Sequence, residues 1–247
     1  MMKAAIYPYK ATSEGAKFLA EHLNGRLIQD TDDLRRDEIL INWGAGYLGI
    51  RTWNRNWLNK PSAICRAVNK LQAFEFFERT GVPHPLYTHS ISTVQSWLHN
   101  GKKILARQTA SGMMGAGISV LTRPTDNIPS AEFYSCHVQH DDEYRIHVFR
   151  GRIINIAMKT AQVSNPNLLV RNWGNEWKFR NTDAPNIVKQ VGIDAIRSLG
   201  LDFGAADIGY CHDRNRAYVF EVNSAPGTGH YTITRYAEAM TNYMEHL

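Results

Sequence analysis

The sequence predicts a mixed α/β protein of the α+β kind, opened by a small α/β unit, on three observations. Its first 60 residues alternate strand, helix and strand, β-rich runs in the second half fold back as hairpins, and apolar residues at helical spacing mark 185–199 and 233–247. At 247 residues the chain is long enough to bury a substantial core, as one large domain or two modest ones.

Taken in order, residues 3–8 read as a strand and 13–23 as a helix, with Ser13 at its N-cap and Gly25 as its stop. Strands at 27–29 and 38–42 follow, with the loop 42–49 at a strand C-terminal end, where such sheets place ligand contacts. Residues 51–60 interleave Arg51, Arg55 and Lys60 with Trp53 and Trp57. That alternation either binds nucleic acid through charge and stacking or packs its tryptophans and leaves its cations in water. Ala67, Leu71, Phe74 and Phe77 define a helix face that ends at Gly81 and Pro83, with Asn69 and Lys70 in its first turn. A further helix spans 92–99.

The strand 103–107 ends in Arg107 and leads to Ser111, Gly112, Gly115 and Gly117, a hairpin tip whose amides can approach phosphate oxygens. No Gly-Lys-Ser/Thr is present and no helix follows, which excludes a P-loop and a dinucleotide fingerprint. Glu143–Phe149 and Arg152–Lys159 form a hairpin that carries Arg145 and Lys159 on β structure. The basic, aromatic stretch 171–180 precedes the core helix 185–199, with Asp183 as its cap and Gly200 as its stop.

A formal charge of +5 and a pI near 9.1 are compatible with anionic partners without choosing among them. Cys65, Cys136 and Cys211 are odd in number and widely spaced, so neither a disulfide framework nor a zinc site is expected, and a reducing cytoplasm fits best. No signal-peptide core and no membrane-spanning run are expected.

The most informative stretch is 205–230. Runs at 206–211 and 217–223 flank the polar cluster 212–216 and predict a hairpin. Pairing about Arg214 sets Asp207 opposite Glu221, and strict alternation puts Val219, Glu221 and Asn223 on one face, with Tyr218, Phe220 and Val222 on the other. Facing carboxylates among apolar residues repel unless a cation neutralises them, and oxygens from Asp, Glu and Asn suit Mg²⁺. The alternative is an ion pair from Arg214 or Arg216 to Glu221 on a solvated edge.

Together these segments resemble the ATP-grasp superfamily, and within it the ribosomal-protein glutamate ligases and similar phage-encoded proteins. The resemblance runs from about Asn69 to His230 and rests on Leu201–Ile208, Phe220–Gly227 and Glu143–Gly151, with further support from Asn69-Lys-Leu, Gly81–Pro85 and the loop 111–117. It implies an ATP-grasp fold in three parts: 1–60 as a preceding α/β unit, 61–125 as a small subdomain with the glycine lid, and 126–247 as the subdomain with the metal site. Asp207, Glu221 and Asn223 become ligands of Mg²⁺, or of Mn²⁺ in its place. Lys70 and Arg107 become ATP contacts, with Arg107 standing where the superfamily usually has Lys. Ser111, Gly112, Gly115 and Gly117 form the phosphate lid, Cys136, His137 and Val138 the adenine hinge, and Arg145, Lys159 and Arg171 face the terminal phosphate and the acyl substrate.

The implied reaction is ATP-dependent carboxylate–amine ligation through an acyl phosphate. Its partners are ATP, a carboxylic acid, and the amine of an amino acid, peptide or protein terminus. Two alternatives stand beside it: phosphoryl transfer to a hydroxyl at the same ATP site, and binding or modification of nucleic acid through 51–60 and 171–180. The expected location is the cytoplasm of a bacterial or phage-infected cell.

Overall fold

Short apolar runs build the first layer. In the computed structural model, which describes residues 2–30, 33–47, 57–111, 117–169, 171, 173–227 and 229–247, β1 (Lys3–Pro8), β2 (Arg26–Leu27), β3 (Glu38–Trp43) and β4 (Trp57–Leu58) form a parallel sheet in the order β2-β1-β3-β4. Every residue of β3 is buried, as a central parallel strand requires. The helix α1 (Glu14–His22) starts at Ser13, whose hydroxyl accepts from the Ala16 amide at 3.4 Å. It ends at Leu23, and Asn24, not Gly25, takes the left-handed conformation (φ 47°).

The helix expected from Ala67 to Thr80 is two helices, α2 (Pro61–Val68) and α3 (Lys70–Thr80). Pro61 opens α2, where a missing N–H costs no hydrogen bond. Asn69 has extended geometry (φ −94°, ψ 104°), so it stops α2 and caps α3 by accepting from the Gln72 amide at 3.0 Å. The break makes Lys70 the first residue of α3, and its amide donates to the Ala110 carbonyl at 2.9 Å.

A second sheet, antiparallel in the order β5-β8-β6-β7, contains β5 (Tyr87–Thr88), β6 (Ile104–Arg107), β7 (Ile118–Leu121) and β8 (Phe133–Cys136), with α4 (Ile91–His99) beside it. The position between 125 and 126 lies between β7 and β8, both of which pair with β6. Gly112 and Gly115, and Arg51, Trp53 and Arg55, lie outside the described residues.

The third sheet is antiparallel throughout, in the order β11-β10-β9-β12-β13, from β9 (Asp142–Phe149), β10 (Arg152–Ala161), β11 (Trp177–Asn181), β12 (Phe203–Cys211) and β13 (Arg216–Asn223). One face is covered by α5 (Asn186–Ser198), which buries Val188, Val191, Ala195 and Ile196 with Ile146, Val148, Ala206 and Ile208. Pro185, not Asp183, is the N-cap of α5, and Asp183 instead pairs with Lys189 at 2.7 Å. On the opposite face Phe149 and Phe203 pack with Trp43 of the first unit and with Tyr236 of α6 (His230–Met244), a helix that begins three residues before the expected 233. Asn59 ties the layers together: its side chain donates to the Phe203 carbonyl at 2.9 Å and accepts from the Asp202 amide at 2.8 Å. All three cysteines are free. Among the described residues no helix is long and apolar enough to cross a membrane.

Candidate active site

Asp207 and Glu221 are direct partners across β12 and β13, as pairing about Arg214 predicts. Their faces depart from strict alternation. A register shift between Asp207–Glu221 and Ile208–Val219 makes Phe220 the extra residue of a β-bulge. Ala217, Val219 and Val222 therefore all join the core under α5, while Glu221 and Asn223 line the cleft on the other side. Without the bulge, period-two alternation would carry Glu221 into the apolar layer. Gly209 makes room for it, since a Cβ there would stand 2.2 Å from the Phe220 ring.

The same period sorts β9 and β10. Tyr144, Ile146 and Val148 pack in the core, and Arg145, one residue out of phase, lines the cleft with Lys159. Arg145 grips Asp207 in a bidentate pair, Nε to Oδ1 at 2.6 Å and Nη2 to Oδ2 at 2.7 Å. Lys159 Nζ lies 3.8 Å from Asp207 Oδ2, donates to the Arg171 carbonyl at 2.8 Å, and pairs with buried Glu143. Lys70 Nζ is 3.0 Å from Glu221 Oε2, and Asn223 Nδ2 donates to Glu221 Oε1 at 3.3 Å. The Arg145 guanidinium also lies 4.2 Å from the centre of the Phe179 ring. Burial opposes the Arg145 charge, and Asp207, Glu221 and Glu143 more than reverse that, so its pKa is raised. Burial pushes Glu143 up, but the His140 imidazole 3.6 Å away and Lys159 hold it below the usual carboxylate range.

Lys70, Arg145, Lys159, Asp207, Glu221 and Asn223 line one cleft of about 570 Å³, together with Ser111, with Tyr9 and Gly44 of the first unit, with Trp177 and Phe179, and with Ser224, Ala225 and Gly227. Ser111 is thus placed with the charged cluster. Gly117 sits just before β7 with φ 71°, and its carbonyl accepts from the Gln108 amide at 2.9 Å. Arg107 ends β6 as expected, but it turns to the Ser135 hydroxyl at 3.2 Å and to the Phe133 ring. Burial lowers its pKa and the Glu221 charge opposes the shift.

Cys136, His137 and Val138 line a second cavity of about 1040 Å³. Two of the three expected hinge amides are already bonded, Cys136 to the Leu86 carbonyl and His137 to the Lys103 carbonyl, both at 2.8 Å. Burial, aided by His140, Lys103 and Arg171, pushes His137 down to about 4, and its imidazole is neutral. Burial lifts the Cys136 thiol to about 11 against the Lys102 charge. Arg171 departs from its expected position. Its guanidinium donates to the Asp141 and His140 carbonyls at 2.9 and 3.0 Å and stacks on Trp177, so the only group it offers Lys159 is a backbone carbonyl. Glu143 and Phe179 were not foreseen as site residues. Glu143 stands two residues before Arg145 in a strand, and that spacing is the signal that places both on one face.

Asp207, Glu221 and Asn223 form a hard-oxygen donor set of two carboxylates and a carboxamide on one face, which fits Mg²⁺. Among the described residues no group of three His, Cys, Asp or Glu could hold a metal.

Three sheets, with the charged cleft on the face of the largest that turns away from α5, make up the ATP-grasp fold, and solved structures match it over nearly the whole chain. The ATP-grasp ligase PsnB complexed with a minimal precursor matches with a TM-score of 0.69 at 12% identity, covering 98% of this chain and 99% of that one. D-alanine–D-alanine ligase from Bacillus anthracis matches with a TM-score of 0.63 at 10% identity, covering 100% and 99%. The macrocyclase MdnC from Microcystis aeruginosa MRC, bound with precursor peptide MdnA, matches with a TM-score of 0.63 at 12% identity, covering 98% and 100%. No protein-family model matches the chain, and no curated protein matches its sequence.

Proposed function

We propose that the protein is an ATP-dependent carboxylate–amine ligase that forms an amide through an acyl phosphate, releasing ADP and phosphate. One observation carries the reading: Lys70, Arg145 and Lys159 converge on Asp207, Glu221 and Asn223 in a single cleft of an ATP-grasp fold. Asp207, Glu221 and Asn223 would hold Mg²⁺, or Mn²⁺ in its place, and the bound ion would offset phosphate charge.

Lys70 and Lys159 bind phosphate oxygens as point charges. Asp207 holds the Nε–Nη2 edge of the Arg145 guanidinium and so orients its Nη1–Nη2 edge toward a carboxylate or a phosphoryl group. The acid attacks the γ-phosphorus, the bond to ADP breaks, and the amine then displaces phosphate from the acyl carbon. Both steps spread negative charge over oxygens, which fixed cations stabilise without reorganising. Phe179 and Trp177 wall the cleft and lower its local dielectric, which strengthens those charges. The base of ATP takes the second cavity, where Val138 and the neutral His137 stand.

Titration calorimetry with Mg·ATP tests the nucleotide site, and absence of binding by the wild type overturns the reading. Release of ADP with free phosphate in the presence of an acid and an amine supports ligation, whereas a phosphorylated product without free phosphate reassigns the cleft to a kinase reaction.

A further inference from the structure

The ligation chemistry leaves one buried carboxylate of the site without a task. Glu143 stands two residues before Arg145 on β9, so both lie on the face of the sheet that turns away from α5. Burial pushes its pKa up, and the facing His140 and Lys159 more than reverse that, so the carboxylate is ionised. Lys159 has three N–H groups to place. One goes to Glu143 and one to the Arg171 carbonyl at 2.8 Å, which leaves the third for the cleft, where Asp207 Oδ2 lies 3.8 Å away. An ammonium on a flexible four-carbon stem does not keep such a direction unaided. The Phe179 ring, with its centre 5.4 Å from Nζ, bounds it on another side without offering a lone pair.

Glu143 has a support of its own. His140 Nε2 faces Glu143 Oε2 at 3.6 Å, and both side chains are buried. The other ring nitrogen, Nδ1, stands 2.8 Å from the Val138 carbonyl, so it carries a proton and donates it there. The ring is also wedged in place. Phe220 meets it edge to face at 4.9 Å, and Gly209 makes room for both, since a Cβ there would stand 3.0 Å from His140 Cγ. A continuous chain of contacts thus runs from Val138 in the second cavity through His140 and Glu143 to Lys159 in the cleft. The bulge serves both ends of it, returning Glu221 to the cleft and setting the Phe220 ring against His140.

We infer that Glu143 and His140 are positioning residues of the reaction: Glu143 seats the Lys159 ammonium against the phosphates, and His140, anchored on Val138, fixes Glu143. This deepens the ligase reading and rests on its nucleotide site. Neither the carboxylate nor the imidazole touches a phosphate. Each acts through the next group, and together they give the base cavity and the phosphate cleft a common support.

Titration of the full chain with Mg·ATP and with adenosine, which has the base and sugar but no phosphate, separates positioning from a general loss of structure. Glu143→Gln is expected to bind Mg·ATP about tenfold or more weakly, as for the loss of a charge-assisted contact, and adenosine within about twofold of wild type. Should that variant fail to fold, Glu143→Asp keeps the charge and withdraws it by one methylene. Its expected loss is about threefold or more for Mg·ATP and less than about twofold for adenosine. An Asn amide imitates Nδ1 and a Gln amide imitates Nε2, so His140→Asn keeps the Val138 bond and loses Glu143, whereas His140→Gln keeps Glu143. The Asn variant is expected to weaken Mg·ATP binding about threefold or more, and the Gln variant less than about twofold. Added to Glu143→Gln, His140→Asn should cost less than about twofold more, because it acts through Glu143. Should adenosine bind too weakly to measure, the two variants at 140 and this combination decide alone. Equal losses for Mg·ATP and adenosine, wild-type Mg·ATP affinity in the Glu143 variants, or fully multiplied losses in the combination would overturn the inference and leave the nucleotide reading standing. A wild type that binds neither ligand overturns both.

Discussion

The two faces of the third sheet come from the same strands and hold opposite contents. Under α5 lie Ile146, Val148, Ala206, Ile208, Val219 and Val222, a layer without a charge. One residue away along each strand stand Arg145, Asp207, Glu221 and Asn223, with Lys159 on the neighbouring strand. The apolar face is stabilised by area removed from water, which is tolerant of detail. The charged face is stabilised only while every charge has a partner, because an unpaired buried ion costs more than the pair contributes. Chemistry is confined to the face where removing one group leaves another uncompensated.

The sharpest way to break this contrast is Asp207→Ala, which strands the buried Arg145 guanidinium. We expect a loss of about 3–5 kcal/mol in urea denaturation, and recovery of most of it when Asp207→Leu is combined with Arg145→Met. A double variant no more stable than Asp207→Ala would mean that the pair is not the source of the loss. Next, Glu221→Gln with Asn223→Ala is expected to lower turnover by about 10²–10³-fold, or roughly 3–4 kcal/mol of barrier, with a smaller loss of stability than Asp207→Ala because Glu221 is only partly buried. Turnover within tenfold of wild type would remove both residues from the ion site.

Acid sharpens the comparison further. Burial, with the Arg145 charge behind it, pushes His147 down to about 3, so the folded protein refuses a proton that the unfolded chain accepts near the ordinary value of 6.5. Stability is therefore expected to fall as pH drops from 6.5 toward 3, by up to about 1.4 kcal/mol per pH unit from this group. Glu143, held below the ordinary carboxylate value of 4.5, adds to the loss as pH falls further. Replacing His147 by Asn should flatten the upper part of that slope in denaturant midpoints measured from pH 7 to 4, and an unchanged slope would assign the loss elsewhere. The smallest effect belongs to the apolar face: Ile208→Val should cost about 0.5–1.5 kcal/mol and leave Mg·ATP affinity within twofold of wild type.

Much of this was legible before any coordinates. The pairing of Asp207 with Glu221 follows from two β-rich runs about a polar turn, and the hairpin that carries Arg145 and Lys159 was legible too, although their shared face depends on the register shift between Ile153 and Asn155. Other features were not. The helix break at Asn69 hides inside a continuous apolar pattern, because the α2 and α3 faces both turn toward the core. The resemblance turns Arg171 toward the terminal phosphate and the acyl substrate, yet the Asp141 and His140 carbonyls, some 30 residues away in sequence, and the nearby Trp177 ring hold its guanidinium. The buried bonds of Asn59 to residues 202 and 203 join positions 143 and 144 apart, a distance at which no local pattern speaks.

By itself, then, the sequence determined which residues belong to strands and which charges they carry, because side-chain parity is a property of covalent backbone geometry. Only the tertiary structure decided the bulge at Phe220, which returns Glu221 to the cleft. A bulge is set by what packs across the strand, here the bare Cα of Gly209. It depends on contacts between segments, which no single run of residues contains.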